Sequence, residues 1–431
     1  MGEPIAQRAA IAETPAASRT IRLFISTGEV SGDLQGALLV TALKQQAQAL
    51  GIELEILALG GDRMAQAGAT LLGNTTAIGS VGLLESLPYI WPTLQIQRRA
   101  KQYLRQHPPD LVVLIDYLGP NVAIGSYVRQ YLPQVPIAYF IAPQEWVWSL
   151  SPRNTARIVN ITDRLLAIFP EEARYFAEHG AKVSWVGHPL VDRMQAAPDR
   201  ASARQALGIP DDQIAIALLP ASRRQELKYL MPVIFQAAQQ IQAQLPQVHF
   251  WIPVSLEAYR QPIEQAIQHY GLRATLLAGQ GLAGQGLAGQ VSNSKFEESI
   301  TLRAIAAADL AIGKSGTVNL EIALLNVPQV VLYRVGAVTA WIARHILKFS
   351  IPFMSPPNLV EMKAVVPEFL QDQATPDNIA QAGLELLLNP ARRQQTLNDY
   401  QAMRQAIGEV GACDRAAKEI LQLLPTNIQP S

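Results

Sequence analysis

The stretch Ser26-Thr27-Gly28-Glu29-Val30-Ser31-Gly32-Asp33 follows an apolar run and leads into residues of helical period. In an open parallel sheet such a strand-to-helix turn is where ligands bind. Gly28 and Gly32 let the backbone approach a substrate closely, Ser31 adds a hydroxyl, and Glu29 and Asp33 offer acceptors for hydroxyl groups. Gly32-Asp33 can also simply turn and cap the helix. The G-x-G-x-x-G spacing of a dinucleotide-binding turn is absent.

Two further loops have the chemistry of phosphate and ribose. Leu218–Glu226 (LLPASRRQE) sets Ser222, Arg223 and Arg224 at a helix start. There, free amides and paired guanidinium groups suit diphosphate oxygens. Lys314–Glu321 (KSGTVNLE) brings Ser315, Gly316 and Thr317 to another helix start, with Glu321 one turn on as an acceptor for a ribose diol. Together they point to a nucleotide diphosphate site. Pro143–Ser149 (PQEWVWS) carries two indoles, Trp146 and Trp148, whose faces suit sugars or acyl chains, burial in the core being the alternative. His188, in Val186–Leu190 (VGHPL), lies where two halves of the chain should meet. With six His and one Cys, all scattered, no metal-ligand cluster is expected, and no G-x-S-x-G serine elbow occurs.

The elements that must hold these loops alternate short apolar runs with longer helical patterns, the form of an α/β protein with parallel sheets. The first series of strands is expected at Ile21–Ser26, Glu53–Leu59, Leu111–Ile115, Ile137–Ile141, Arg164–Phe169 and Val183–Val186. A second is expected at Ile214–Leu219, Val248–Pro253, Ala274–Leu277, Asp309–Ile312 and Gln329–Tyr333, with a hinge in Gln195–Pro210. Two similar domains should therefore face each other across a cleft. Residues 1–19 read as a flexible lead without a secretory core, 278–290 (a repeated AGQGL) as a slack surface insertion, and Pro390–Leu424 as helical.

Composition narrows the partners. The chain has 35 basic and 35 acidic residues, so no overall field would hold a nucleic acid, and none is expected. The lone Cys413 precludes an intramolecular disulfide and suits a cytoplasmic setting. No apolar run approaches the roughly 18 residues of a membrane span. Val81–Gln97 is nevertheless strongly apolar and is followed by Arg98, Arg99, Lys101 and Arg105, a pattern suited to docking on an anionic membrane surface.

Taken together, Thr27–Gly36 (TGEVSGDLQG), Ala142–Trp148 (APQEWVW), Phe169–Glu172 (FPEE), VGHPL, Leu219–Glu226 (LPASRRQE), Ser315–Glu321 (SGTVNLE), Val331–Arg334 (VLYR) and Pro357–Leu359 (PNL) resemble the lipid-A-disaccharide synthase family. The resemblance implies an inverting glycosyltransferase of GT-B type, with two Rossmann-like domains facing an interdomain cleft. It implies an acceptor-binding domain at 20–194, a UDP-sugar-binding domain at 195–389, and a C-terminal segment, 390–431, packed back on the first domain. The implied reaction joins UDP-2,3-diacylglucosamine to 2,3-diacylglucosamine 1-phosphate through a β-1,6 linkage and releases UDP. No metal or cofactor is implied, since the UDP-sugar is a substrate. A homodimer and a peripheral place on the inner membrane are.

Carried onto this chain, the resemblance gives UDP Ser222, Arg223, Arg224, Glu226, Ser315, Gly316, Thr317 and Glu321. It gives the acceptor Gly28, Glu29, Ser31, Gly32, Asp33, Asn121, Gln144, Trp146 and His188, while Arg223 stabilises the departing diphosphate. The family's base is the second Asp of Asp-x-Pro-Asp-Phe-Asn, but here the stretch reads Asp116-Tyr117-Leu118-Gly119-Pro120-Asn121. Gly119 takes no proton, so the base falls to Asp116 or Glu145. Ala221 replaces a family glycine in the phosphate loop. Rival readings are a UDP-sugar epimerase of the same architecture and, on account of Gly119, a nucleotide-lipid binding relative without catalysis.

Overall fold

The computed structural model describes residues 20–76, 87–147, 151–221, 224–277, 293–336 and 353–424. Within these, β1 (Ile21–Ser26), β2 (Leu54–Gly60), β3 (Thr70–Asn74), β4 (Leu111–Ile115), β5 (Ile137–Phe140), β6 (Arg164–Ala167) and β7 (Val183–Trp185) form one sheet, ordered β3-β2-β1-β4-β5-β6-β7. A second sheet holds β8 (Ile214–Leu219), β9 (Val248–Pro253), β10 (Ala274–Leu277), β11 (Leu310–Lys314), β12 (Gln329–Tyr333) and β13 (Glu368–Leu370), ordered β10-β9-β8-β11-β12-β13. Every pairing is parallel. The protein is thus α/β with two Rossmann-like sheets.

The central strands read as continuous apolar runs because helices cover both of their faces. β4, LVVLI, is buried at all five positions. The first sheet is covered by α1 (Val30–Ala49), α2 (Asp62–Gln66), α3 (Leu87–Gln106), α4 (Leu118–Tyr131), α5 (Pro152–Ile161) and α6 (Pro170–Glu178). α7 (Pro189–Met194) leads toward the second sheet, followed by α8 (Arg200–Leu207), α9 (Arg224–Tyr229), α10 (Met231–Gln244), α11 (Arg260–Tyr270), α12 (Asn293–Ala306) and α13 (Val318–Leu324). The C-terminal helix Ala412–Leu421 returns to pack on α1 of the first sheet. Its core residues Ala416 and Ile420 join one apolar cluster with Leu39, Leu190, Leu320 and Val360, so the two halves meet through packed hydrocarbon.

In both sheets the strand order reverses at one place, between β1 and β4 and between β8 and β11. The loops leaving these strands open a crevice at the carboxyl edge, the usual ligand position of such folds. Three differences from the sequence expectation have physical causes. β3 (TLLGN) and β13 (EFL) are edge strands without a fully buried position, so they lack the continuous apolar run that marks the central strands. The stretch expected as a hinge contains α8, capped where Asp199 accepts from the Ser202 amide at 2.9 Å and closed by Gly208 in the left-handed region. The 278–290 repeat lies outside the described residues, as do Trp148 and residues 81–86.

Candidate active site

At the first switch point the backbone is bent and pinned. Asn121, fully buried near the start of α4, donates to the carbonyls of Ser26 (3.2 Å), Ile115 (2.9 Å) and Asp116 (2.7 Å) and accepts from the Ser26 hydroxyl at 2.7 Å. These bonds tie the ends of β1 and β4 together. Four non-glycine residues at the carboxyl edge take positive φ: Glu29 (27°), Asp116 (47°), Tyr117 (53°) and Ile141 (60°). Such conformations are costly and cluster where a fold holds side chains for function.

Asp116 is the carboxylate this bend presents. Its amide donates to the Ile141 carbonyl at 2.9 Å and its carbonyl accepts from the Tyr139 hydroxyl at 2.9 Å. The side chain keeps an accessible face on the cleft, while protein packs around the rest of it. That packing pushes its pKa up to about 6; the Glu29 carboxylate adds repulsion, and the Tyr117 amide pulls the other way. Tyr117 in turn bonds Thr93 of α3 and lies against Gly28, where a Cβ would come within 2.4 Å of the ring. Gly28 therefore makes room for Tyr117.

Two residues expected on the acceptor prove structural. Asp33 is buried, and its carboxylate accepts from the amides of Gly61 (2.8 Å), Arg63 (3.2 Å) and Met64 (3.1 Å) at the start of α2. Asn121 has its amide occupied as described, so neither side chain is available to a sugar. Gly32 lines the cleft, and a Cβ there would fall 1.9 Å from the Thr27 hydroxyl. Glu145 is buried and accepts from Asn154 of α5 at 3.1 Å. It is absent from the cleft wall, which its neighbours Gln144 and Trp146 help to form. Of the two candidate bases, Asp116 alone faces the cavity.

Glu172, which had no assigned role in the sequence reading, organises the loops after β5 and β6. Its carboxylate accepts from the amides of Ala142 (2.8 Å), Ile168 (2.8 Å) and Phe169 (3.2 Å). Burial outweighs these three bonds and pushes its pKa up to about 7. The signal was present in FPEE: a proline at the first position of a helix and Glu at its third, the pattern of a capped start. Phe169 then lies 5.6 Å from the Trp146 ring and 5.3 Å from His188. His188 is buried, which lowers its pKa to about 3, so it is neutral. Its Nδ1 accepts from the Leu190 amide at 3.1 Å, which assigns the proton to Nε2.

Ser31, Asp116, Gln144, Trp146 and His188 line a cavity of about 110 Å³ whose far wall is Thr317, Leu320 and Leu359 of the second half. It is therefore a true interdomain site. A second cavity, about 40 Å³, lies beyond β8 and β11 and is lined by Glu226, Lys314, Ser315, Tyr333 and Arg334. Lys314, at the end of β11, is 3.4 Å from Glu226. Ser315 donates to the Met354 carbonyl at 2.7 Å, and the Gly316 amide to Asn319 at 2.7 Å, so these two shape the loop. Glu321 is ion-paired with Arg193 of α7, both nearly buried, across the junction of the two halves. Ser222 and Arg223 lie outside the described residues, and only the backbone of Arg224, at the start of α9, is described. Among the described residues no group of three potential ligands could hold a metal ion.

Comparison with known proteins agrees with this fold. The family model for lipid-A-disaccharide synthetase matches residues 23–422. The lipid-A-disaccharide synthase of Gloeothece citriformis is 61% identical over 93% of this chain and 99% of its own. That of Synechocystis sp. is 57% identical, over 93% and 98%, and that of Myxococcus xanthus 33%, over 94% and 98%. Among solved structures, S. aureus MnaA with UDP superposes with a TM-score of 0.62 at 17% identity, covering 94% of this chain and 97% of that one. The Neisseria meningitidis UDP-GlcNAc 2-epimerase bound to UDP-GlcNAc gives 0.63 at 14%, covering 94% and 100%. At such identities the likeness is one of GT-B fold alone.

Proposed function

The chain belongs to the lipid-A-disaccharide synthase family of glycosyltransferases, and from that premise we propose how its cleft performs the transfer. The substrates are UDP-2,3-diacylglucosamine and 2,3-diacylglucosamine 1-phosphate. The acceptor sugar sits in the first half, against Asp116, His188 and Trp146, and UDP in the second. As the acceptor 6-hydroxyl attacks the anomeric carbon, Asp116 takes its proton. The new C–O bond forms as the bond to the diphosphate breaks, and UDP leaves with the electron pair on the face opposite the attack, giving the β-linked disaccharide.

The observation that carries this reading is the setting of Asp116. It stands at the switch point of the first sheet, on a left-handed residue, facing a cavity closed by the second half. Its raised pKa, about 6, makes it a better proton acceptor than an ordinary carboxylate, though still ionised at neutral pH. For the leaving group, Lys314 supplies positive charge at the second cavity, and Arg223 and Arg224 are the further cations that the sequence offers. Glu321 serves the ribose once Arg193 shares or yields its carboxylate. Incubating the purified protein with both acylated sugars should yield UDP and disaccharide by mass spectrometry. A wild-type protein that makes neither would remove this reading.

The same proposal places the protein peripherally on the cytoplasmic face of the inner membrane. Among the described residues no helix is long and apolar enough to cross a membrane. α3 instead exposes Ile90 (49%), Trp91 (69%) and Leu94 (54%), followed by exposed Arg98 and Arg99. Apolar side chains backed by cations fit an anionic lipid surface. Lys101 and Arg105 are directed elsewhere, over the rings of Tyr127 and Tyr131 at 5.7 and 5.8 Å. Because Thr93 of this helix bonds Tyr117, the lipid-facing tip adjoins the base, which suits collection of acylated sugars.

A further inference from the structure

Gln35 is a buried polar residue of the cleft whose side-chain carbonyl has no partner among the described residues. It lies one turn after Ser31 on α1, so the two share a helix face, and both line the interdomain cavity. Gln35 is 5% exposed, and its side-chain carbonyl makes no hydrogen bond to any described residue. Leaving a buried amide unmade is costly, and native structures do so rarely. The neighbouring buried polar groups differ: Asn121, Glu145 and Glu172 each hold partners. Thr27 also has an orphaned hydroxyl, but Thr27 is not part of the cavity wall.

The cavity itself indicates what would complete the amide. The Asp116 carboxylate accepts, the Nε2 proton of His188 donates, and the Trp146 and Phe169 rings supply apolar faces. Alternating polar groups and flat hydrocarbon match a hexose ring, which carries hydroxyls on its rim and C–H bonds on its faces. Gln35 belongs to the half that holds Asp116. The sugar it meets is therefore the one that gives up a proton.

We propose that Gln35 is a specificity-determining residue that hydrogen-bonds a hydroxyl or amide group of the acceptor sugar in the interdomain cavity. The proposal rests on the transferase reading above and adds to it a contact on the acceptor ring. Catalysis by Asp116 does not require this contact. Gln35 selects the ring and holds it, and the energy appears in binding rather than in the chemical step.

The test uses the full-length protein and disaccharide synthesis with each acylated sugar varied while the other is saturating. Gln35→Met, close in volume but without the amide, should raise the acceptor KM about 3- to 10-fold, the scale of one neutral hydrogen bond. The donor KM should stay unchanged, and the melting temperature should hold or rise, since an orphaned polar group has been removed. Thr27→Val, which removes an orphaned hydroxyl outside the cavity wall, should leave both KM values alone. An unchanged acceptor KM in Gln35→Met, a rise in the donor KM instead, or an equal rise in Thr27→Val would each overturn the proposal. A wild-type protein without product fails the transferase reading itself; an active wild type with an indifferent Gln35→Met fails only this one.

Discussion

β1 leads to Asp33 in the first turn of α1 and β4 leads directly to Asp116, two aspartates near the same switch point that the protein uses in opposite ways. Asp33 is spent on three backbone amides of α2. Among the described residues Asp116 receives only the Tyr117 amide, and it turns its carboxylate to the cleft. Both stand in motif stretches, and either could be read as a ligand for a sugar. The difference lies in what comes back to meet them: α2 folds over Asp33, whereas the second half stands off from Asp116 and leaves a cavity. A carboxylate becomes chemical when the fold withholds its partners.

The comparison breaks most visibly at Asp116. Asp116→Asn should cut turnover by about 10²–10⁴-fold, the scale of losing general-base help, with UDP affinity by calorimetry unchanged. Stability should move the other way. The folded pKa, about 6, exceeds the ordinary value of 3.8, so the carboxyl favours folding below pH 3.8 and loses that contribution as pH rises through 6. Asp116→Asn should therefore melt higher than wild type at pH 8 and equally at pH 3.5.

Asp33→Ala should do the reverse, orphaning three amides and destabilising the fold by about 2–4 kcal/mol in urea unfolding. Turnover per folded molecule should stay within a few-fold of wild type. Loss of activity without loss of stability would return Asp33 to the acceptor. A third variant sharpens the contrast at Gly119, where an added Cβ would meet nothing within 4 Å. Asp116→Asn with Gly119→Asp should regain about tenfold in rate, because a carboxylate one helical turn away can share the task. The smallest effect belongs to α3. Ile90, Trp91 and Leu94 to Ser should lower sedimentation with anionic vesicles while changing stability by under about 0.5 kcal/mol per site. A large fall in melting temperature would show that these side chains are packed.

Much of this was legible in the sequence. Runs such as Leu111–Ile115 and Ile214–Leu219 are apolar because they lie in sheet interiors, and the motif loops follow them directly. Roles within the loops were less legible. Asp33 and Asn121 look like ligands in one dimension, since their backbone partners at Gly61 and Ser26 lie 28 and 95 residues away. Glu172 was hidden for the same reason: its bond to Ala142 spans 30 residues. Arg193 and Glu321 meet over 128 residues, across two halves whose docking no local pattern encodes.

The most direct test of the central claim is the pH dependence of kcat/KM for disaccharide formation by wild type and Asp116→Asn. If Asp116 is the base, the wild-type rate rises with pH through an apparent pKa near 6 and levels off above it, while the variant is slow throughout and lacks that limb. Normal turnover of Asp116→Asn with the same limb would contradict the assignment and place the base elsewhere.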